Sequence, residues 1–349
     1  MVGELAPAPV DLQTAGQDFW KRYHVIRRIE AQEVRPGDPI MPDALVEARM
    51  KKANPFEFHH PHEIARGGVV LSWFWGEAFT PESPEYATNK HIFWADAFVR
   101  PDHRRRGIAT LWLPVLAGLM DEHGCTVVEF HTEGDLGHGF LEWAGAQPKL
   151  TEIESRLDLS QVDWTMVERW VAEGPERSPK TKMEIYDGPI PEAMRPELAP
   201  QLSAMLNTIP FEDLDHGEIV VTPDTMREWY ERNELSQEAQ HTVLTREPDG
   251  VISGITDVTW APYRRSLIYQ QFTGVRPAAR GRGLGKWIKA AMLLHLRELY
   301  PDARWIATGH ARSNGPMLKI NRTLGFKAHK TYVEYQLSRD QLESRIRSL

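Results

Sequence analysis

The chain has 349 residues, 41% hydrophobic and 26% charged, with a formal net charge of −8 and one cysteine, Cys125. These totals exclude a disulfide framework, a cysteine-based zinc cage, a membrane-spanning run and the cationic surface that broad nucleic-acid binding needs. They suit two domains, a reducing cytoplasmic setting and, weakly, a cationic small-molecule partner.

In chain order, the opening MVGELAPAPVDLQ has neither the basic start nor the apolar stretch of a signal peptide. FEFHHPHEI, residues 56–64, holds His59, His60, His62 and Glu63 and reads as a strand with His60 and His62 on one face. A solvent-facing strand is the expectation there, and no metal is expected. HIFWADAFV (91–99) reads as a strand rich in aromatic residues, and Trp73, Trp75, Trp94 and Trp112 near it as core or cleft walls. A basic turn follows, VRPDHRRRGIATLW (99–112), then a helical face of Ile108, Leu111, Trp112, Val115, Leu116 and Leu119 that Pro114 should bend. TVVEFHT (126–132) is a second strand, and GFLEWAGA (139–146) closes a short helix on a glycine. WTMVERWV (164–171) reads as a short helix packed on the first domain, and the polar VAEGPERSPKTK (171–182) as a linker.

Beyond it come the apolar helix ELAPQLSAMLNTI (197–209), the acidic loop PFEDLDHGE (210–218), and a helix capped by Thr222. SLIYQQFTGV (266–275) is a strand. VRPAARGRGLGKW (275–287) turns into a helix whose Leu284, Trp287, Ile288, Ala291, Met292, Leu296 and Leu299 share one face. ARWIATG (303–309) is another strand, and SNGPMLKINRTLGF (313–326) ends a helix on Gly325.

The chain therefore repeats itself. Val99 and Val275 lie 176 residues apart, as do Gly107 and Gly283. Each half reads as strand, glycine-containing turn, amphipathic helix, strand, helix, which is an α/β unit. The division expected is 1–163, a linker at 164–181, and 182–349.

A strand ending in such a turn leaves backbone N–H groups at the positive end of a helix, where they suit phosphate oxygens. Gly281, Gly283 and Gly285 permit close approach, and Arg276, Arg280 and Arg282 add mobile positive charge. The competing reading is a tight turn with solvated arginines. A Walker loop is excluded because Trp287 follows Lys286, and a dinucleotide fingerprint because Lys286 stands where its last glycine should be.

Arg280-x-x-Gly283-x-Gly285 and Arg104-x-x-Gly107-x-Ala109 instead resemble the acetyl-CoA pyrophosphate loop of the GNAT acetyltransferase superfamily. SNGPMLKINRTLGF is similar to the segment after the fifth strand of those enzymes, and the layout resembles that of two-domain members such as mycothiol synthases. The resemblance implies two tandem GNAT-type domains. Each would be a mixed, mostly antiparallel sheet flanked by helices, with two parallel strands that splay apart around acetyl-CoA. The pantetheine arm would run along Phe272, Thr273, Gly274 and Val275. The pyrophosphate would lie on Arg280, Gly281, Arg282, Gly283, Leu284, Gly285 and Lys286, with Asn314, Met317 and Asn321 contacting the cofactor from the second motif. A second cofactor site would lie at Val99, Arg104, Arg105, Arg106, Gly107, Ile108 and Ala109. Where Asn314 stands in the second half the first has Gly134, so the first domain is expected to be a degenerate copy and the second catalytic.

The resemblance further implies direct attack of a primary amine on the thioester. Two positions that carry catalysis in the family are filled here by Tyr269 and Asn321, and Glu212 and Tyr332 are further catalytic candidates. Asp213, Asp215, His216, His310 and Tyr335 are alternatives. Glu212, Asp213 and Asp215, with Glu218, would bind a cationic acceptor; the competing reading is a solvated loop. The function expected is an acetyl-CoA-dependent N-acetyltransferase acting on a small amine, as a monomer or homodimer, without nucleic acid or membrane partners. A non-catalytic acyl-CoA-binding regulator and a protein N-acetyltransferase stand beside it.

Overall fold

The computed structural model describes residues 5–349; the first four residues of the opening stretch lie outside the described residues. Along the chain come β1 (Ala8–Pro9), α1 (Gln17–Val34), α2 (Asp43–Lys51), β2 (Glu57–His59), β3 (His62–Arg66), β4 (Val69–Phe79), α3 (Tyr86–Asn89), β5 (Ile92–Val99), α4 (Trp112–His123), β6 (Val127–Thr132), α5 (Asp135–Ala144) and β7 (Gln147–Asp158). Then come α6 (Trp164–Arg177), β8 (Lys182–Asp187), α7 (Arg195–Leu206), α8 (Pro223–Leu235), β9 (Ala239–Arg246), β10 (Ile252–Trp260) and β11 (Leu267–Val275). The chain ends with α9 (Leu284–Leu299), β12 (Trp305–Ala311), α10 (Gly315–Leu324), β13 (Lys327–Ser338) and α11 (Arg339–Arg347).

These elements gather into two compact units that interleave in sequence. The first holds the residues up to Thr151, Phe211–Glu218 and Tyr332–Leu349; the second holds Glu152–Pro210 and Ile219–Thr331. The last strand of each sequence half serves the other half's unit. Val333–Ser338 of β13 pair with β6, and Glu152–Asp158 of β7 pair with β12.

In the first unit the sheet runs β1-β3-β4-β5-β6-β13, with β2 beside β4. Among the described residues, its ladders are antiparallel except β5–β6. One face packs Phe74 and Phe93 against Leu116 and Met120 of α4 and Leu342 of α11. The other packs Val70, Trp73 and Phe98 under Phe19, Trp20 and Ile26 of α1. In the second unit the order is β7-β12-β11-β10-β9-β8, and among the described residues only β11–β12 is parallel. Val243, Ile268 and Ile306 meet Ile288 and Leu293 of α9 and Trp170 of α6. Leu244 and Ile255 face Leu198 and Leu202 of α7 and Met226 of α8. The α/β architecture with a mostly antiparallel sheet and a parallel strand pair in each half is the one the sequence implied.

Three local readings change. Residues 164–177, read as a short helix and the start of a linker, form α6, whose Val167, Trp170 and Gly174 are buried. Polar neighbours and Pro175 obscured a stripe spaced three and four residues apart. The helix packs on α9, and a side chain at Gly174 would meet the Trp287 ring at 2.2 Å. Pro114 bends nothing, because α4 begins only at Trp112, after a 3₁₀ turn at Ala109–Leu111, and so proline sits in its first turn. FEFHHPHEI is two strands broken at His60 and Pro61, so His60 and His62 do not alternate along one strand. His60 instead meets His123, with Nε2 atoms 2.6 Å apart.

The exchange of strands predicts that residues 1–163 and 182–349, made as separate chains, do not fold alone. The first would lack Tyr335, Leu337 and Leu342 from its core, and the second Leu157, Val167 and Trp170. Near-UV circular dichroism and urea unfolding should show fixed packing and a cooperative transition only for the full chain. Independent cooperative folding of both fragments would contradict the exchange.

Candidate functional site

β11 and β12 pair in parallel from Leu267↔Trp305 to Gln270↔Thr308 and then part. β11 continues to Val275 on β10, while β12 continues to Ala311 on β7. From Gln271 onward, the edge of β11 that faced β12 has no ladder partner. An extended polar chain can dock on such an edge as an added strand.

The edge leads into the glycine turn. Gly281 and Gly283 both have φ of 82°, the left-handed region that costs glycine nothing. Gly283 caps α9 without a side-chain hydrogen bond. Among the described residues, the backbone N–H groups of Gly281, Arg282, Gly283, Leu284 and Gly285 have no acceptor, and the first bonded amide is Lys286, to the Gly283 carbonyl. Five free donors at a helix N-terminus form a ready anion site. Gly285 also lets α10 approach closely: a Cβ there would lie 3.2 Å from Ile320 Cδ1.

Arg280 and Arg282 are not mobile charges, whereas the exposed Arg276 keeps that reading. Arg280 Nε donates to the Val275 carbonyl at 3.2 Å, and Arg104 Nε does the same to Val99 at 2.9 Å. The motif's arginine ties the turn back to its strand in both copies. Arg282 is held by Glu247 at 2.9 Å and by Ser178, so its charge is largely answered. Lys286 lies over the Trp170 ring.

Three polar groups are buried near the fork and on α10. Lys289 of α9 donates from Nζ to Gln270 Oε1 at 2.6 Å, and burial lowers its pKa to about 7. Asn321 is 2% exposed, and neither its Oδ1 nor its Nδ2 has a partner. Each orphaned buried group costs about 1–3 kcal/mol, which a ligand amide or water would return. His310 of β12 lies 3.1 Å from Ser155 Oγ, and burial pushes its pKa down, so it is neutral near pH 7.

On β10, Asp257 stands opposite two residues of β11, Gln271 and Phe272, which makes a bulge. The Phe272 N–H donates to Asp257 Oδ1 at 3.0 Å, and Gln240 Nε2 to Oδ2 at 3.2 Å. Gln240 accepts in turn from Asn233 of α8. Asp257 keeps some solvent contact, yet the protein around it raises its carboxyl to about 7. Desolvation outweighs the three hydrogen bonds that favour its charged form.

The first unit has a matching fork with different contents. β5 and β6 pair only from Ile92↔Val127 to Trp94↔Glu129. The β4–β5 ladder runs unbroken from Ser72↔Val99 to Ala78↔Phe93, without a bulge. The amides of Arg105 to Ala109 have no acceptor either. Arg105, the counterpart of Gly281, has φ of 59°, which costs a side-chain-bearing residue about 1–2 kcal/mol. Glu129 closes this fork, accepting from Trp94 Nε1 at 3.2 Å and Gln336 Nε2 at 2.9 Å, and burial raises its pKa to about 7.

The other candidates fall as follows. Tyr269 lies in the paired part of β11, its ring against the Arg264 guanidinium. Phe272, Thr273 and Gly274 lie on the free edge, and Thr273 Oγ1 is 2.7 Å from Thr256 Oγ1. Asn314 begins α10 without capping it, and Met317 follows in its first turn. Glu212, Asp213, Asp215 and Glu218 lie in a loop that belongs to the first unit. There Gln336 accepts from the Asp215 amide at 2.9 Å, and Asp215 lies 3.1 Å from His91 Nε2. Tyr332 is also in the first unit, 4.9 Å ring to ring from His131. Asp257, Lys289 and Glu129 were missed. The faint signals were a lone carboxylate in the strand ISGITDVTW and a lysine on the buried face of α9.

Residues 26–139 match the model of the acetyltransferase (GNAT) family. Among curated proteins no sequence matches the chain. A tandem GNAT protein from the clavulanic acid biosynthesis pathway superposes with a TM-score of 0.74 at 19% identity, covering 96% of this chain and 99% of that one. A GCN5-related N-acetyltransferase from Sphaerobacter thermophilus gives 0.61 at 13% identity, with 96% of both chains covered. Saccharomyces cerevisiae N-myristoyltransferase with bound myristoyl-CoA gives 0.57 at 9% identity, covering 97% of this chain and 79% of that one. No helix among the described residues is long and apolar enough to cross a membrane.

Lys289 carries a pH prediction. Its folded pKa lies below the ordinary lysine value, so its stabilising contribution is full above that value and is lost as pH falls toward 7. Relative to Lys289→Met, the native chain should gain up to about 4 kcal/mol between pH 7 and pH 10. Urea unfolding of both proteins across that range tests it; a constant difference would mean the amine titrates as if exposed.

Proposed function

We propose that this chain is a GNAT-superfamily acetyltransferase that carries the fold twice, and that it transfers an acetyl group from acetyl-CoA to the primary amine of a small molecule. The observation that carries the reading is the run of five unbonded amides, Gly281 to Gly285, at the foot of the unpaired β11 edge. The orphaned Asn321 amide fits a polar ligand arm. Acetyl-CoA supplies an activated thioester whose thiolate leaves readily.

The chain's own residues do the rest. The turn amides hold the diphosphate, and the β11 edge orients the arm. The attacking amine must shed a proton, and Asp257, near neutral in pKa and beside the β11 bulge, is the acceptor we assign. As the amine nitrogen bonds to the acyl carbon, the C–S bond breaks and the proton passes toward Asp257, directly or through one water. The second half is the proposed catalytic one; the carboxylates of 212–218 belong to the first unit and have no assigned part in this site.

A second reading places the chemistry in the first unit. It is favoured by the family match at 26–139 and by Glu129, a buried carboxylate of pKa about 7 in that fork.

Calorimetry and a thiol-release assay with an amine panel separate the two. Gly283→Glu should weaken acetyl-CoA binding at least ~10-fold, and Gly283→Ala, which strains the backbone equally but adds no charge, much less. Gly107→Glu should leave turnover intact. Asp257→Asn should lower kcat by roughly 10²–10⁴ and remove an inflection near pH 7 from the kcat/KM profile. Loss of activity in Gly107→Glu and not in Gly283→Glu would move the site to the first unit. Tight coenzyme binding with no turnover on any amine would favour a non-catalytic binder.

A further inference from the structure

We infer that the second unit carries a transition-metal site made by Asp187, His241 and His295. Asp187 is the last residue of the edge strand β8 and stands directly across from His241 of β9. Directly paired residues put their side chains on one face with Cβ atoms about 5 Å apart. His295, on α9, reaches the same point. His241 Nδ1 and His295 Nε2 each lie 2.6 Å from Asp187 Oδ1, and the three ligand atoms fall within 4.8 Å of one another. The imidazole rings meet nearly edge to face, at 71° with centroids 5.8 Å apart, so both aim at one point without stacking.

The surroundings fix the first ligand. The far nitrogen of His241, Nε2, is 2.7 Å from the Tyr300 hydroxyl, and the Tyr300 ring stacks on Trp260 at 4.3 Å. With Nδ1 on a metal, Nε2 carries the ring proton and donates it to that oxygen, the outer contact that metal-bound histidines usually make. His241 is buried, whereas the Asp187 side chain is 55% exposed. The site therefore has a closed floor and an open top, three protein ligands and room for water in a fourth position.

Two imidazoles and one carboxylate select a borderline cation such as Zn²⁺ over Ca²⁺ or Mg²⁺, which prefer oxygen throughout. A bound ion would join the edge strand β8 to α9, the helix that presents the Gly281–Gly285 amides. The site is independent of the acyl-transfer reading. The first unit's nearest equivalent among the described residues, Glu57, His59 and Glu77, offers one imidazole only and serves as the control.

The test uses the chelator-treated, desalted full chain. Titration with Co²⁺ should give visible ligand-field absorption saturating at one ion per chain and displaced by Zn²⁺, and Zn²⁺ should raise the unfolding midpoint. His295→Ala and Asp187→Asn should each weaken binding by about 100-fold or more; His59→Ala should not. Asp187 is exposed at the end of its strand, so its variant decides the question if His295→Ala folds poorly. No saturable absorption, binding undiminished in Asp187→Asn, or loss of binding in His59→Ala would each overturn the assignment.

Discussion

Everything at the candidate site follows from one failure of pairing. β11 and β12 leave each other after Gln270 and Thr308 because each follows another neighbour, β10 on one side and β7 on the other. The parting exposes one edge of β11 without exposing its apolar faces, which stay covered by α9 and by α7 and α8. The turn that follows must then reverse the chain into α9 within a few residues. Two left-handed glycines allow that, and the reversal leaves five amides pointing at nothing. A cluster of free donors at a helix N-terminus thus arises from a turn too tight to satisfy them.

The duplicated halves show how the same device diverges. Both tie the turn to its strand through the motif's arginine, and both splay after a few parallel pairs. The second copy has Gly281, a bulge at Gln271–Phe272 and a carboxyl of near-neutral pKa on the bulge. The first has Arg105 under backbone strain, no bulge on its splayed strand, and Glu129 enclosed between Trp94 and Gln336. A bulge redirects backbone donors without breaking the strand, so the two forks present their backbone donors differently.

What could be read from sequence was local. The face of α9, the strand read at 266–275 and the Thr222 cap depend on residues within a turn or two of one another; the strand runs Leu267–Val275, the cap is present, and the face is buried except at Leu299. The glycine turn was legible because its requirement is conformational and falls on the residues themselves. Asp257 was not, because its standing depends on the register between β10 and β11, which no local pattern encodes. The partnership of Asp187, His241 and His295 is equally nonlocal. The exchange of last strands escaped for the same reason: alternation identifies a strand, and says nothing of which sheet receives it. The arginines misled in the opposite direction. Arg280 and Arg282 read as mobile charge in the sequence, but Glu247, Thr208 and the Val275 carbonyl occupy them.

Amide-resolved hydrogen–deuterium exchange of the full chain, with and without saturating acetyl-CoA, tests the central claim most directly. Exchange should slow at residues 281–285 and along 271–275 when the coenzyme is present. Unchanged exchange there, or slowing confined to residues 105–109, would contradict an anion site at the foot of β11.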